Sequence, residues 1–172
     1  MPQSFSDLCD LDPETLAGIA KLGWTDAMPV QERVVPTMIG GGDLIVQART
    51  GSGKTGAFGI PLIQSVDPEE AVTQALVMLP TRELANQVRE ELAVLGEPRG
   101  VRCLAIYGGV GYGPQIDGLR EGAHVVVGTP GRILDHLGAG RLVLDSVQQV
   151  VFDEADEMLS LGFWPDMREI RS

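Results

Sequence analysis

The chain of 172 residues has no apolar run approaching the ~18 residues that a membrane-crossing helix requires. Residues 1–10 lack a basic region followed by an apolar stretch, so no secretory signal is expected and the chain is assigned to the cytoplasm. The two cysteines, Cys9 and Cys103, have no metal-ligand spacing and are expected as thiols in a reducing compartment, with Cys103 in the core. His124 and His136 stand apart from any metal-type cluster and read as structural or surface residues. Basic residues are also few. Lys and Arg number 13 against 24 Asp and Glu, a net charge of −11, which argues against a chain that grips polyanions by charge alone. Internal repeats and low-complexity tracts are missing as well.

What is present fits one folded domain. The length lies in the single-domain range, and 44% hydrophobic with 22% charged residues is ordinary for a globular chain. Short apolar runs predict strands over residues 44–47, 75–79, 103–107, 125–127 and 150–153. Between the second and third, Leu84, Val88, Leu92 and Leu95 form one face of a helix over 82–95. Residues 11–39 read as helical with breaks near Gly23 and Pro29. The run Gly40-Gly41-Gly42 reads as a turn, and Gly138-Ala139-Gly140 as a helix end. Strands alternating with helices predict an α/β fold, a mainly parallel sheet covered by helices, with functional loops at the carboxyl ends of the strands.

Two such ends carry chemistry. The run Ala48-Arg49-Thr50-Gly51-Ser52-Gly53-Lys54-Thr55 follows Leu44-Ile45-Val46 and precedes a helix-compatible stretch. Its glycines let backbone N–H groups close around phosphates, Lys54 adds a mobile charge, and the Thr55 hydroxyl can ligate Mg²⁺. Ala48 stands where the usual pattern has Gly, a small change that leaves the mechanism intact. A glycine-rich turn is the plainer alternative, and Gly-Lys-Thr between strand and helix disfavours it. The chain is therefore expected to bind a nucleoside triphosphate. The second end is Val150-Val151-Phe152 running into Asp153-Glu154-Ala155-Asp156. Alone, those acids could simply start a solvated helix. Beside a phosphate loop in the same chain, Asp153 reads as the metal anchor and Glu154 as the residue that polarises the attacking water.

The letters D-E-A-D at this second end resemble the signature of the DEAD-box ATP-dependent RNA helicases, and nearly the whole chain carries further likenesses. Gly23-Trp24 followed by Pro29-Val30-Gln31 resembles that family's adenine-reading glutamine motif, with Phe5 as the upstream aromatic. Pro80-Thr81-Arg82-Glu83-Leu84, Gly108-Gly109 and Thr129-Pro130-Gly131-Arg132 resemble its three RNA-contacting motifs, in order and at about its spacing. The stretches 108–113 and 157–163 look most like bacterial members. Two departures stand out: Ala27-Met28 precedes Pro29-Val30-Gln31 where the family has Pro-Thr, and Trp24 replaces a Phe or Tyr. Neither removes the Gln31 amide, whose donor and acceptor suit adenine's N6 and N7 edge.

The resemblance implies the first RecA-like domain, a three-layer sandwich, of an enzyme that uses ATP and Mg²⁺ to separate RNA strands locally. Residues 1–40 would be a helical segment of that domain holding the glutamine motif, and 41–172 the ATP-binding part. Phe5, Trp24, Gln31, Ala48, Thr50, Gly51, Ser52, Gly53, Lys54 and Thr55 would hold the nucleotide. Pro80, Thr81, Arg82, Gly108, Gly109, Thr129, Pro130, Gly131 and Arg132 would meet RNA. Thr55 and Asp153 would hold the metal, with Lys54, Asp153 and Glu154 catalytic. The family's Ser-Ala-Thr motif and its second RecA-like domain, with the arginine fingers, do not occur in these 172 residues. By itself the chain is therefore expected to be nearly inactive and to bind RNA weakly. Much of the acid lies outside the RNA motifs, whereas Arg82 and Arg132 lie inside them, and helix starts at Thr81 and Thr129 could meet phosphates through backbone N–H groups. The alternatives are an ATP-gated RNA clamp without productive turnover, or another superfamily 2 nucleic-acid-dependent ATPase.

Overall fold

The computed structural model describes residues 3–171, which divide into two compact units. The first combines the residues through Asp67 with Glu91–Val101, and the second combines Pro68–Glu90 with the residues from Arg102 onward. Among the described residues, no helix is long and apolar enough to cross a membrane.

In the first unit, β1 (Gln3–Ser4) pairs antiparallel with β2 (Asp26–Ala27), a ribbon too short to show in the sequence pattern. Helix α1 (Pro13–Lys21) starts with proline in its first turn, where the missing N–H costs nothing, and carries Glu14 early and Lys21 late, as the helix dipole favours. It crosses the last turn of α4 (Arg82–Gly96) at Gly18, where an added Cβ would lie 1.9 Å from the Leu95 carbonyl oxygen. Only glycine permits that approach. Helix α2 (Pro29–Ile39) packs on α3 (Lys54–Ser65), the buried centre of the unit, whose Ile60, Leu62 and Ile63 are wholly enclosed. Arg99 closes this unit through an ion pair with Asp12 and donation to the carbonyls of Gln64 and Val66.

The strand expected over residues 44–47 is absent. Leu44, Ile45 and Val46 are exposed and carry no ladder, so this expectation is corrected. An apolar run is a local signal, whereas a strand exists only through partner hydrogen bonds that the run cannot supply itself.

The second unit is built on a four-stranded parallel sheet of β3 (Ala75–Met78), β4 (Cys103–Ile106), β5 (Val125–Gly128) and β6 (Gln149–Phe152), in the order β4-β5-β3-β6. Each strand lies within a residue or so of its expected place. Strands β3 and β5 are buried along their whole length, as the interior of a parallel sheet covered by helices requires. Helices α5 (Gly113–Arg120), α6 (Pro130–Gly138), α7 (Ala155–Ser160) and α8 (Trp164–Arg171) complete the unit. Leu76, Met78, Ile106, Val126, Ile133 and Met158 form its apolar centre. Because all four strands run parallel, the segments after β3, β4, β5 and β6 leave the sheet at one end, and these carry Thr81, Gly108, Thr129 and Asp153.

Candidate functional site

The phosphate loop begins as an open segment and ends as the first turn of α3. Gly51 and Gly53 both take left-handed backbone conformations (φ 75° and 87°), which brings the chain round before Lys54 enters the helix. Lys54 Nζ donates back across the loop to the Ala48 carbonyl at 3.2 Å. The Ser52 hydroxyl is buried with no partner in the protein, a polar group that a phosphate oxygen would satisfy. Thr55 sits in the first helical turn, half-buried.

Gln31 reaches this loop from α2. It is 3% exposed; its Oε1 accepts the Met28 N–H at 2.9 Å and its Nε2 donates to the Gly53 carbonyl at 3.1 Å. A Cβ on Gly53 would lie 2.7 Å from both Gln31 Nε2 and Met28 Sδ, and one on Gly56 would meet Gln31 Nε2 at 2.5 Å and the Trp24 ring at 2.9 Å. Glutamine motif and phosphate loop are thus packed side chain to backbone. An amide has two donors and two acceptor sites. One of each is engaged here, which fixes the group while leaving one of each. Phe5 is 3% exposed, enclosed among the apolar residues of this unit, whereas the Trp24 ring is partly open.

In the second unit, Asp153 extends β6 by donating its N–H to the Met78 carbonyl, and its Oδ1 accepts the Glu154 N–H at 3.0 Å. Glu154 has φ 51°, the one non-glycine residue among those described with a left-handed backbone. For an L side chain this conformation costs about 1–2 kcal/mol, and such strain concentrates at functional sites. No group of three or more His, Cys, Asp or Glu that could enclose a metal occurs among the described residues. A single carboxylate such as that of Asp153 still suits Mg²⁺, which keeps several waters and shares itself with phosphate oxygens.

The three segments read as RNA contacts do converge. The Arg82 guanidinium lies beside Gly109, with Nη1 3.3 Å from where a Cβ would stand, and Arg132 donates through both terminal nitrogens to the Val110 carbonyl at 3.2 Å. Thr81 caps α4 by accepting the Leu84 N–H, while Thr129 begins α6 without a side-chain cap. Gly108, Gly109 and Gly131 are exposed, but Pro80 and Pro130 are buried and support the backbone. Arg82 is exposed and paired with Glu83 at 2.7 Å; the hydrogen bond between them lowers the Glu83 pKa and raises that of Arg82. Arg132 differs sharply, being 9% exposed with its terminal nitrogens bonded inside the fold, while its buried Nε lies 3.5 Å from Asp135 Oδ2 without a hydrogen bond. The cysteines carry no site chemistry: burial pushes the Cys103 thiol up to about 12 and raises that of Cys9.

A glycine loop that opens a helix, and carboxylates at the end of a parallel strand, define a phosphate-loop α/β protein. The DEAD/DEAH box helicase family matches residues 28–172, and the chain belongs to that family. It is 47% identical over 168 residues to the DEAD-box ATP-dependent RNA helicase CshA of Streptococcus pneumoniae, covering 98% of this chain and 32% of that protein. Against CshA of Bacillus subtilis the identity is 44% over 172 residues, all of this chain and 35% of the relative. The chain thus spans about a third of these curated relatives. Among solved structures, a DEAD box protein from Methanococcus jannaschii superposes with a TM-score of 0.90 at 42% identity, over 97% of this chain and 46% of that one. A hypothetical ATP-dependent RNA helicase from Sulfolobus tokodaii gives 0.84 at 36% identity, covering 93% and 46%. The expected RecA-like α/β fold is that of these neighbours.

The sequence reading missed Met28 and Tyr112 as loop-holding residues, and Gln115 with them. No spacing rule marks them. Their roles arise from contacts between segments.

Proposed function

We propose that this chain is the nucleotide-binding domain of a cytoplasmic ATP-dependent RNA helicase, which in the whole protein couples ATP hydrolysis to local separation of RNA strands. The observation that carries this reading is the phosphate loop with two left-handed glycines and an unpartnered Ser52 hydroxyl, braced by an amide that retains one donor and one acceptor. In this mechanism Gln31 pairs with the adenine edge, with Trp24 alongside and Phe5 as buried support. Ala48, Thr50, Gly51, Ser52 and Gly53 line the phosphates, and Lys54 exchanges the Ala48 carbonyl for a phosphate oxygen. Bound Mg²⁺, held by Thr55 and Asp153, would neutralise charge developing on the phosphates. Glu154 orients the attacking water and accepts its proton. Arg82, the exposed glycine loops and the helix starts at Thr81 and Thr129 face the RNA backbone, a mode that reads phosphate geometry and tolerates the acidic net charge. A second RecA-like domain would complete the site with its arginine fingers, whose absence costs about 10³- to 10⁵-fold in rate.

The deciding experiment uses the full-length protein with Glu154→Gln. ATP and RNA binding should persist while RNA-stimulated turnover falls about 10²- to 10⁴-fold, the usual contribution of a general base. Unchanged turnover would remove Glu154 from the chemistry, and equal stimulation by DNA would redirect the substrate assignment.

A further inference from the structure

The loop between β4 and α5, residues 107–112, carries the exposed Gly108-Gly109 pair, yet little beneath it holds it down. A crevice of about 270 Å³, lined by Leu104, Tyr107, Val110 and Pro114 among others, separates it from β4. Gly109 takes a left-handed conformation, φ 81°, so the loop backbone is also intrinsically permissive. Its restraint comes from α6. Arg132 donates twice to the Val110 carbonyl, and its guanidinium carbon lies 4.0 Å from the centre of the Tyr112 ring. Arg141 also faces that ring at 5.4 Å, and His136 meets it edge-on at 5.6 Å. The Tyr112 hydroxyl donates to Asp135 Oδ2 at 3.0 Å, an oxygen that also lies 3.5 Å from Arg132 Nε. Behind them Gln115 donates to the Tyr107 carbonyl, while its Oε1 accepts from His136 Nε2.

We infer that Tyr112 is a positioning residue: stacked on Arg132 and tied to Asp135, it latches the Gly108-Gly109 loop to α6 in the conformation that meets RNA. Arg132 acts through the same latch and not as a direct phosphate contact, since its terminal nitrogens already hold the Val110 carbonyl and it is almost wholly buried. A cation over an aromatic face, with the phenol fixed at its far end, gives the loop one orientation where glycines alone would allow many. The functional half of the inference rests on the RNA reading proposed above; the latch itself does not.

The test compares full-length wild type with Tyr112→Ala, Tyr112→Phe and Arg132→Lys, measuring amide hydrogen exchange of residues 107–113 without RNA and ATP turnover against RNA concentration. Tyr112→Ala should speed exchange in the loop about tenfold and raise the half-saturating RNA concentration about five- to tenfold. The KM for ATP and the rate at saturating RNA should stay within about twofold. Tyr112→Phe keeps the stack and the fold and should shift both readouts two- to threefold. Arg132→Lys combined with Tyr112→Ala should be no worse than the larger single effect, because both break one device. Faster exchange with unchanged RNA dependence would overturn the link to RNA. Weaker RNA response with unchanged exchange would make Tyr112 a direct contact and overturn the latch. If RNA does not stimulate wild type at all, the helicase reading fails and takes the functional half with it, while exchange still decides whether the latch exists.

Discussion

Two glycine-rich loops in this protein are held in the same way, each by one buried polar side chain that donates to a loop carbonyl. Gln31 does so for Gly53 in the phosphate loop, and Arg132 for Val110 in the loop after β4. They differ in what is left over. Gln31 keeps one donor and one acceptor, so the group that braces the loop can also read a ligand. Arg132 is turned inward on Val110, Gln115, Tyr112 and Asp135 and is 9% exposed, so in the proposed reading recognition there falls to exposed backbone. Selectivity for a base needs a side chain with free hydrogen-bonding groups. Contact with a sequence-independent backbone needs only well-placed N–H groups.

Breaking the second brace should cost most in stability. Arg132→Ala removes both donors to the Val110 carbonyl and the packing against Tyr112, while the Gln115 oxygen keeps its bond from His136. Lost hydrogen bonds from a charged donor cost about 1.5–3 kcal/mol, so a loss of about 2 kcal/mol in denaturant unfolding is expected, with adenine nucleotide affinity unchanged. Breaking the first should do the reverse. Gln31→Ala should weaken adenine nucleotide binding about tenfold, the ~1.4 kcal/mol of one or two lost hydrogen bonds, and remove the preference over guanine in a fluorescent-nucleotide titration. If guanine was never discriminated against, the contrast between the two braces collapses.

A smaller effect sharpens the comparison through pH. His136 is fully buried, and burial, then Arg141 and Arg132, lower its pKa, with Asp135 opposing. Its Nδ1 has no partner. A His with a lowered folded pKa binds fewer protons folded than unfolded. Stability is therefore complete above the unfolded value of about 6.5 and declines as pH falls below it. Melting temperature should drop by a few degrees between pH 7.5 and 5.5, and His136→Gln should flatten that slope. Asp12, whose pKa is lowered chiefly by its hydrogen bond to Arg99, should act only at lower pH, since its contribution is lost as pH falls below the carboxylate range.

The sequence marked sites where chemistry sits on consecutive residues. Gly51 to Thr55 and Asp153-Glu154 were legible because phosphate cradles and strand-end carboxylates are short local devices. The four sheet strands were legible as short apolar runs, which burial along the whole length accounts for in β3 and β5. Residues 44–47 carry the same kind of run and form no strand, because a ladder depends on a neighbour that composition does not specify. The burial of Arg132, expected only as a member of an RNA-contacting motif, was not legible for a related reason: charge in a sequence says nothing about which carbonyl or ring lies opposite. Tyr112 and Gln115 left no mark, since their partners on α6 are about 20 residues away.

By itself, then, the sequence determined the fold class and the family and nominated the residues proposed for phosphate, metal and water, because each follows from local spacing and hydrophobic period. Only the tertiary structure decided which polar side chains keep free groups for a ligand and which are used up in holding a loop. That depends on burial and on partners distant in the chain, and a buried polar group must find its hydrogen bonds inside the protein before it can offer any outside it.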